Sequence, residues 1–374
     1  MEQLNTKTYN FKALSFGNAF FFMKVDTLIV GFGIAGMNYS EQLRRRKKSF
    51  VVMAPSVKSA SHMAAGIINP TVLKRFKPVW KAEEFLNYAL PFYAELEALV
   101  QTNVIHLLPI HRILNSIQEQ NEWGIAASVP PLDNYLNKEL VTAKKHLGIV
   151  APFAYGELIQ TARVDNEVLL ALYQKKMIPD QFVEHKLNHQ ALEIHKEYIK
   201  YHDIQADKIV FCEGYQGIKN PYFNYLPLMG SKGEILVIEC DTLNEEVIFK
   251  GPIFLSPMGE HKFWVGATFD RVDKTTQVTE IGKHWLLSKL NQFLKSPFQI
   301  LQHKAQIRAT VSDRRPLLGR HPRYHNVYVL NGVGTRGVLM SPLLSHWLFE
   351  FIENNQKLPP EADIKRFENK YFRN

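Results

Sequence analysis

The sequence predicts an α/β fold with two parts, a discontinuous Rossmann-like dinucleotide-binding domain and an antiparallel β-sheet substrate domain. Three observations predict it. An apolar strand ends in a Gly-x-Gly-x-x-Gly turn that opens a helix, residues 216–305 are rich in strand patterns, and a strand–turn–helix pattern returns at 326–355. At 374 residues, of which 46% are hydrophobic, the chain is long enough to bury two cores.

The glycine-rich turn follows the first strand, residues 24–30, and each of its glycines has a distinct physical task. Gly31 permits the tight turn, Gly33 lets a phosphate approach the backbone, and Gly36 lets the helix pack closely on the strand. The N-terminus of the helix can then hold a dinucleotide pyrophosphate. The alternative is an ordinary strand–helix turn in another α/β protein.

The second strand, predicted at 49–53, is expected to lie parallel to the first. A dinucleotide fold places an acidic residue at the end of this strand to bind the adenosine ribose. This chain has no acidic residue between Glu41 and Glu83. Either backbone groups or Ser56 and Ser59 hold the ribose, or the nucleotide is bound differently, or the motif is degenerate.

Further elements follow from the periodicity of apolar residues. Helices are expected at 83–100, with a break near Pro91, at 166–176 and at 342–355. Strands are expected at 193–201, 207–214, 234–238, 251–255, 261–269 and 326–330. The resulting boundaries assign 23–100, 150–215 and 306–374 to the dinucleotide-binding domain, and 101–149 and 216–305 to the β-sheet domain. Residues 1–22 are expected to form a disordered N-terminal extension.

Composition limits the class of protein. The net charge of +9 favours acidic partners such as nucleic acid, anionic lipid or carboxylate substrates, although the basic run at 44–48 suits the solvated end of a helix. Cys212 and Cys240, the two cysteines of the sequence, indicate neither a disulfide framework nor a zinc site, and no metal site is expected. No apolar run has the length of a membrane span. We expect a cytoplasmic protein.

A second glycine-rich turn, at 331–342, also leads from a strand into a helix. Its helix N-terminus offers free N–H groups and a partial positive charge, which suit an anionic group. A flavin gains negative charge at its N1–C2=O edge on reduction, so it would be a natural ligand. A glycine-rich turn without a ligand is the alternative.

Arg308 is the candidate for substrate binding, because it lies where the β-rich segment ends and guanidinium groups bind carboxylates in a bidentate manner. The alternative is a structural ion pair with a residue such as Asp313. Arg336, inside the second glycine-rich turn, would be a second cation near the same place.

Together these segments resemble the D-amino-acid-oxidase-type FAD-dependent oxidoreductases, from about residue 24 to 353. The similar branches include glycine oxidase, sarcosine oxidase and the FAD module of the bacterial bifunctional enzyme of tRNA 5-methylaminomethyl-2-thiouridine biosynthesis. The motifs that carry the resemblance are the first glycine turn and segments 64–70, 207–214, 251–257, 265–269, 308–319 and 334–342.

The resemblance implies that FAD is the cofactor and that most of its contacts come from backbone groups. The cofactor-binding residues it implies are Gly31, Gly33, Ile34, Ala35, Gly36, Ala64, Ala65, Gly66, Glu213, Gly214, Gly334, Thr335, Gly337, Val338 and Leu339. Arg308 and Arg336 take the catalytic positions, and Phe254 joins them in the substrate pocket. Sarcosine oxidases carry an oxygen-activating lysine where this chain has Trp264, so oxygen is not the expected electron acceptor.

The function implied is oxidation of the C–N bond of an amino acid, or of a secondary amine bearing a carboxylate, by hydride transfer to flavin N5. One alternative is FAD-dependent removal of a carboxymethyl group from a modified tRNA uridine, which would make tRNA a partner. The other is a nucleotide-binding scaffold without activity, in which the FAD site is degenerate. The sequence leaves all three open.

Overall fold

The structure, a computed structural model, describes residues 23–372, so the expected extension at 1–22 lies outside the described residues. This range contains 21 strands and eight α-helices. The strands are β1 (Met23–Val30), β2 (Phe50–Ala54), β3 (Ile67–Ile68), β4 (Thr71–Val72), β5 (Lys77–Pro78), β6 (Ile105–Leu107), β7 (Ile110–Leu114), β8 (Leu136–Thr142), β9 (Ala154–Leu158), β10 (Ala162–Val164), β11 (Phe182–Glu184), β12 (Leu192–Ile194), β13 (Ile199–Tyr201), β14 (Ile204–Phe211), β15 (Leu228–Glu239), β16 (Ile248–Lys250), β17 (Phe254–Gly259), β18 (Lys262–Gly266), β19 (Gln299–Val311), β20 (Leu317–Arg320) and β21 (Val327–Asn331).

The α-helices are α1 (Ile34–Arg45), α2 (Ala60–Met63), α3 (Ala82–Val100), α4 (Ile117–Ala126), α5 (Asn166–Met177), α6 (Glu280–Leu290), α7 (Gly337–Asn354) and α8 (Glu368–Tyr371). Within residues 23–372, no helix combines the length and the apolar character needed to cross a bilayer.

The first sheet has a parallel centre. β1 pairs in parallel with β2 and β14, β2 pairs with β11, and β14 pairs with β21. The predicted parallel second strand is thus confirmed, and it is buried at all five positions, as expected for a central parallel strand. Because these strands run the same way, the turns that follow β1, β2, β14 and β21 meet at one edge of the sheet.

Alternating side chains of β1 reach both faces of this sheet. Ile29 packs into the core formed mainly by α1, α3, α5 and α7, whereas Leu28 and Val30 pack into a second core on the opposite face. The burial of both faces leaves the carboxyl edge of the sheet as the place where its backbone can meet a ligand.

The second sheet is mostly antiparallel and has the strand order β19-β15-β18-β17-β16-β7-β9-β8. It differs from the expectation in one pairing, since β16 and β7 run parallel. It also extends past the proposed domain boundaries at 150 and 306, because β9 and the end of β19 belong to it. Helix α6, which the sequence analysis did not predict, contributes to the core of this sheet.

Several predicted elements were wrong in detail. Residues 251–253, expected within a strand at 251–255, form the connection between β16 and β17. Helix α3 continues through Pro91 without a break. The strand predicted at 193–201 is two strands, β12 and β13, paired as an antiparallel hairpin. Helix α7 begins at Gly337 and contains Pro342. Pro342 cannot donate to the carbonyl of Val338, four residues earlier, and the hydroxyl of Tyr93 donates to that carbonyl instead, at 2.8 Å.

Gly36 controls how closely α1 approaches β1. A β-carbon placed on Gly36 would lie 2.1 Å from the carbonyl oxygen of Gly31, so the backbone would have to move. We expect Gly36→Ala to lower the free energy of unfolding by at least about 2 kcal/mol, the usual scale of overpacking against fixed atoms. Urea denaturation measures this change.

The matched control is Gly124→Ala in helix α4, where an added β-carbon meets nothing within 4 Å. This variant should be stabilised by up to about 1 kcal/mol, since alanine favours the helix. Equal stability of the Gly36→Ala variant and the parent would contradict the close-packing role of Gly36.

Candidate active site

The first glycine-rich turn is held in place by β14. Gly31 has a φ of 104°, which glycine adopts readily, and a β-carbon there would lie 2.4 Å from the carbonyl oxygen of Cys212. With Gly36 against the Gly31 carbonyl, the turn has room for glycine at both positions and for nothing larger. The predicted structural roles of Gly31 and Gly36 are therefore confirmed.

The N-terminus of α1 is suited to binding an anion. Its first turn contains no acidic residue, and the N-cap Gly33 has no side chain to cap it. The hydroxyl of Ser61 instead accepts a hydrogen bond from the Ile34 N–H, at 3.0 Å. A β-carbon on Gly33 would lie 2.9 Å from that Ser61 oxygen and 3.4 Å from the Ser59 oxygen. Ser59 was among the predicted candidates, whereas Ser61 was not. Its position two residues after Ser59 was the one feature of the sequence that could have indicated it.

The second glycine-rich turn has space above it. Gly334 has a φ of 58°, and the nearest atoms to a β-carbon there would be Thr310 Cγ2 at 3.9 Å and the Ala309 oxygen at 4.0 Å. Thr335 is exposed. The turn therefore lies beside β19, at Ala309 and Thr310, and leaves its own backbone accessible.

The two glycine-rich turns meet. A β-carbon on Gly337 would lie 3.1 Å from Cγ2 of Ile34, at the first residue of α1. The side chains of Val338 and Leu339 are buried in the same core as α1. Val338 and Leu339 could therefore contact a ligand only through their backbone groups. The family resemblance implies contacts of this kind.

Segment 64–66 is fixed against β10. Gly66 has a φ of 73°, and its β-carbon would lie 1.8 Å from the carbonyl oxygen of Val164, whose N–H donates to the Gly66 oxygen at 2.9 Å. Gly66 is thus required by this contact, while Ala64 is exposed and Ala65 is half-buried. In this segment, the two alanines are therefore the residues whose side chains remain accessible to a neighbouring group.

Glu213 and Gly214 follow β14 and differ in what they leave free. The Glu213 carboxylate accepts from Asn220 Nδ2 at 2.7 Å and lies 3.0 Å from His189 Nε2. Gly214 has a φ of 57° with nothing within 4 Å of an added β-carbon, and its carbonyl accepts from Asn331. Gly214 therefore leaves open space, whereas the Glu213 carboxylate is already bound to protein groups.

Arg308 lies on the second sheet with its guanidinium over Gly233. A β-carbon on Gly233 would lie 2.1 Å from Nη2 of Arg308, so the absence of a side chain at Gly233 makes the position possible. Nη1 of Arg308 donates to the Thr268 carbonyl at 3.2 Å. Gly233 and Thr268 were not predicted from the sequence. Gly233 lies beside Arg308 through strand pairing, and Thr268 reaches it through the loop after β18.

Arg308 has no acidic partner within the described part of the chain, where no carboxylate lies within 4.0 Å of it. Asp313, the alternative partner, pairs with Arg366 at 2.9 Å. Burial lowers the pKa of Arg308, yet a guanidinium stays charged at neutral pH. A partly buried cation of this kind is suited to the carboxylate of a ligand.

Arg336 is engaged differently from Arg308. Its Nη1 donates to the carbonyl of Asn69 at 2.8 Å, and its Nη2 donates to the carbonyl of Thr71 at 3.0 Å. Burial lowers its pKa to about 10. The guanidinium thus joins the second glycine-rich turn to the segment that follows Gly66.

Phe254 and Trp264 lie on the side of the second sheet that faces segment 63–65. Trp264 donates its indole N–H to the Met63 carbonyl at 2.9 Å, and Phe254 packs in the same small cluster with Ala65 and Ile235. These contacts join the second sheet to the segment beside the first glycine turn.

The residues present fit FAD. The N-terminus of α1, where Gly33 supplies no side-chain cap and Ser61 accepts from the Ile34 N–H, is suited to the pyrophosphate. The open surfaces at Gly214 and Gly334 lie after two neighbouring parallel strands, β14 and β21, and the Gly334 turn lies beside β19 at Ala309 and Thr310. A dinucleotide can therefore extend along the carboxyl edge of the first sheet toward the second sheet.

The contacts of Arg336 generate a prediction. Arg336→Ala leaves two backbone carbonyls without their donors, which should lower the free energy of unfolding by about 1 to 3 kcal/mol. Thermal or urea unfolding measures this loss, and Arg75→Ala, at an exposed arginine of the same region, is the control. If Arg336→Ala leaves stability unchanged but weakens the binding of a carboxylate ligand, Arg336 contacts the ligand directly.

Comparisons with known proteins agree with this geometry. The chain from residue 26 to 351 matches the family described as DAO, FAD dependent oxidoreductase. Glycine oxidase from Geobacillus kaustophilus has the same fold, with a TM-score of 0.73 at 16% identity over 92% of this chain and 98% of that one. Iminodiacetate oxidase from Chelativorans has a TM-score of 0.74 at 17% identity, covering 91% and 98%.

One relative is similar over a shorter region. The tRNA 5-methylaminomethyl-2-thiouridine biosynthesis bifunctional protein MnmC of Marinobacter nauticus is 26% identical over 165 residues, which are 40% of this chain and 26% of that protein. The match to the family covers most of the chain, and the site described above has the features that FAD requires. The protein belongs to the DAO family of FAD-dependent oxidoreductases.

Proposed function

We propose that the protein oxidises the carbon–nitrogen bond of an amino acid or of a secondary amine that bears a carboxylate. The observation that carries this proposal is Arg308, whose partly buried guanidinium lies over Gly233, on the strand that passes the second glycine-rich turn at Ala309 and Thr310. Its charge is matched by no acidic side chain of the described residues, so a substrate carboxylate would complete the pair.

The residues around Arg308 would position the substrate. The Thr268 carbonyl holds one edge of the guanidinium, so the remaining N–H groups can bind a carboxylate. The amine would then lie toward the Gly334 turn, which adjoins β19 at Ala309 and Thr310. Such fixed orientation lowers the entropic part of the barrier.

In the proposed reaction the deprotonated amine loses a hydride from its carbon and becomes an imine, which water then hydrolyses. FAD, when bound, supplies the acceptor for that hydride at its N5 atom. The side chains described need only bind and orient the substrate, and no dedicated general base is required.

We further propose that the reduced flavin passes its electrons to an acceptor other than oxygen. At the position where the resemblance places an oxygen-activating lysine, this chain has Trp264, whose N–H is already bound to the Met63 carbonyl. No cation can act from that position.

The second candidate function is removal of a carboxymethyl group from a modified tRNA uridine. The similarity to MnmC and the net charge of +9 favour it. The matched segments cover 26% of the Marinobacter nauticus protein and 31% of the Legionella pneumophila one. The family assignment argues against the third alternative, a scaffold without activity.

The experiment is anaerobic reduction of the FAD-bound enzyme, followed as bleaching of the flavin absorbance. The panel contains glycine, sarcosine, proline and tRNA that carries the carboxymethylaminomethyl group. We expect at least one free amine with a carboxylate to bleach the flavin. Bleaching by the modified tRNA alone would favour the second candidate, and no bleaching by any member would contradict both.

Arg308→Met tests the carboxylate role, because it keeps much of the side-chain length and removes the charge. We expect the substrate concentration for half-maximal bleaching rate to rise by about 100-fold, the scale of a lost charge-assisted pair. Arg314→Met, at an exposed arginine six residues further along the chain, is the control. Unchanged concentration dependence in Arg308→Met would contradict the assignment.

A further inference from the structure

Lys232 is a buried lysine on β15 that the proposed reaction does not use. It is 1% exposed, and its Nζ lies 2.6 Å from Asp273 Oδ2 and 3.5 Å from Glu234 Oε1. A lysine is almost never buried unless it is paired, because its charge is costly to remove from water. Because side chains alternate along a strand, Lys232 lies on the sheet face opposite to Gly233 and the Arg308 guanidinium.

Asp273 belongs to a long loop between β18 and α6, residues 267–279, which we call the strap. The first half of the strap follows the backbone of β15. The Lys232 N–H donates to the Asp270 carbonyl at 2.8 Å, and the Asp270 N–H donates to the Lys232 carbonyl at 2.9 Å. The Thr268 N–H donates to the Glu234 carbonyl at 3.1 Å, and the Thr268 hydroxyl accepts from the Glu234 N–H at 2.8 Å.

Glu234 fixes the other end of the strap. Its carboxylate accepts from the Thr279 N–H at 2.9 Å and from the Thr279 hydroxyl at 2.8 Å, and Thr279 is the N-cap of α6. A β-carbon on Gly282 would lie 2.5 Å from this carboxylate, so α6 can approach it only through glycine. Between the two ends the strap is exposed, with Val272 at 89%.

The ion pairs stay charged at neutral pH. Burial acts to lower the pKa of Lys232, but the two carboxylates outweigh it and the pKa is raised. Lys232 and the Thr275 N–H lower the pKa of Asp273 to about 2. The link between Lys232 and the strap therefore persists over the whole physiological pH range.

The strap carries the carbonyl that holds Arg308. The Thr268 oxygen accepts from Arg308 Nη1, and Thr268 is fixed by Glu234 one residue after Gly233. The strap thus connects the Lys232 face of β15 to the Arg308 guanidinium on the other face.

We propose that Lys232 is a positioning residue, which holds the strap through Asp273 and so fixes the Thr268 carbonyl and the substrate-binding guanidinium of Arg308. This inference rests on the proposed function for its kinetic consequence. Its structural part, the anchoring of the strap, does not depend on activity.

The test is Asp273→Asn in the FAD-bound enzyme, which removes the charge that faces Lys232 and keeps the size of the side chain. Asp273→Glu keeps the charge and should restore most of the effect. Glu260→Gln is the matched control, since it removes the exposed ion pair with Lys262 near the far end of β18.

Two measurements are made on each variant. Trypsin cleavage after Arg271 and Lys274, both exposed in the strap, reports on anchoring. Acetate binding, read from the flavin absorbance, and KM and kcat for the amine that bleaches the parent report on Arg308. For Asp273→Asn we expect cleavage, KM and the acetate Kd each to rise by about 10-fold, with kcat changed by less than about twofold.

Faster cleavage with unchanged acetate Kd and KM would overturn the positioning role, and unchanged cleavage would overturn the anchoring role. An equal effect of Glu260→Gln would also overturn the proposal. If no amine bleaches the parent enzyme, the proposed function fails, whereas cleavage and acetate binding still decide the role of Lys232.

Discussion

The close contact between Gly36 and the Gly31 carbonyl is the constraint on which the rest of the site depends. It brings α1 down onto the end of β1, so that the free N–H groups of the helix face the carboxyl edge of the parallel sheet. Gly337 then packs on Ile34 at the same helix end. A larger residue at Gly36 would separate the two glycine-rich turns, which come from opposite ends of the chain.

In the second sheet, the strand register sets the position of Arg308, the residue proposed to bind the substrate. Arg308 on β19 faces Ser231 on β15, which places its guanidinium diagonally over Gly233. The other face of the same strand carries Lys232 and Glu234, and these bind the strap that returns to Arg308 at Thr268. The two sheets meet where β19 passes the Gly334 turn, so the proposed cofactor and substrate sites depend on both of them.

Local signals made much of this predictable. The first strand, its glycine turn and α1 follow from spacing that acts within about 20 residues, and so does the second turn at 331–337. Arg308 was selected as a candidate because a charged residue near the end of a strand-rich segment suits a pocket at a domain boundary, and its role stays a prediction.

The remaining features depend on contacts distant in sequence. Ser61 lies beside Ile34 only because α2 folds back over the first turn, and Gly233 supports Arg308 only in the register that β15 and β19 adopt. The sheet to which β9 belongs was not predictable for the same reason, since a short strand does not show which sheet it joins. The start of α7 was missed because Tyr93 compensates for Pro342.

The central claim is that the N-terminus of α1 and the two glycine-rich turns form an FAD site. Titration of the flavin-free protein with FAD, followed by quenching of flavin fluorescence, tests it most directly. The account predicts a single FAD per chain with a Kd below about 1 µM, which corresponds to about 8 kcal/mol of binding free energy. Absence of binding at FAD concentrations of about 100 µM, with the chain folded, would contradict it.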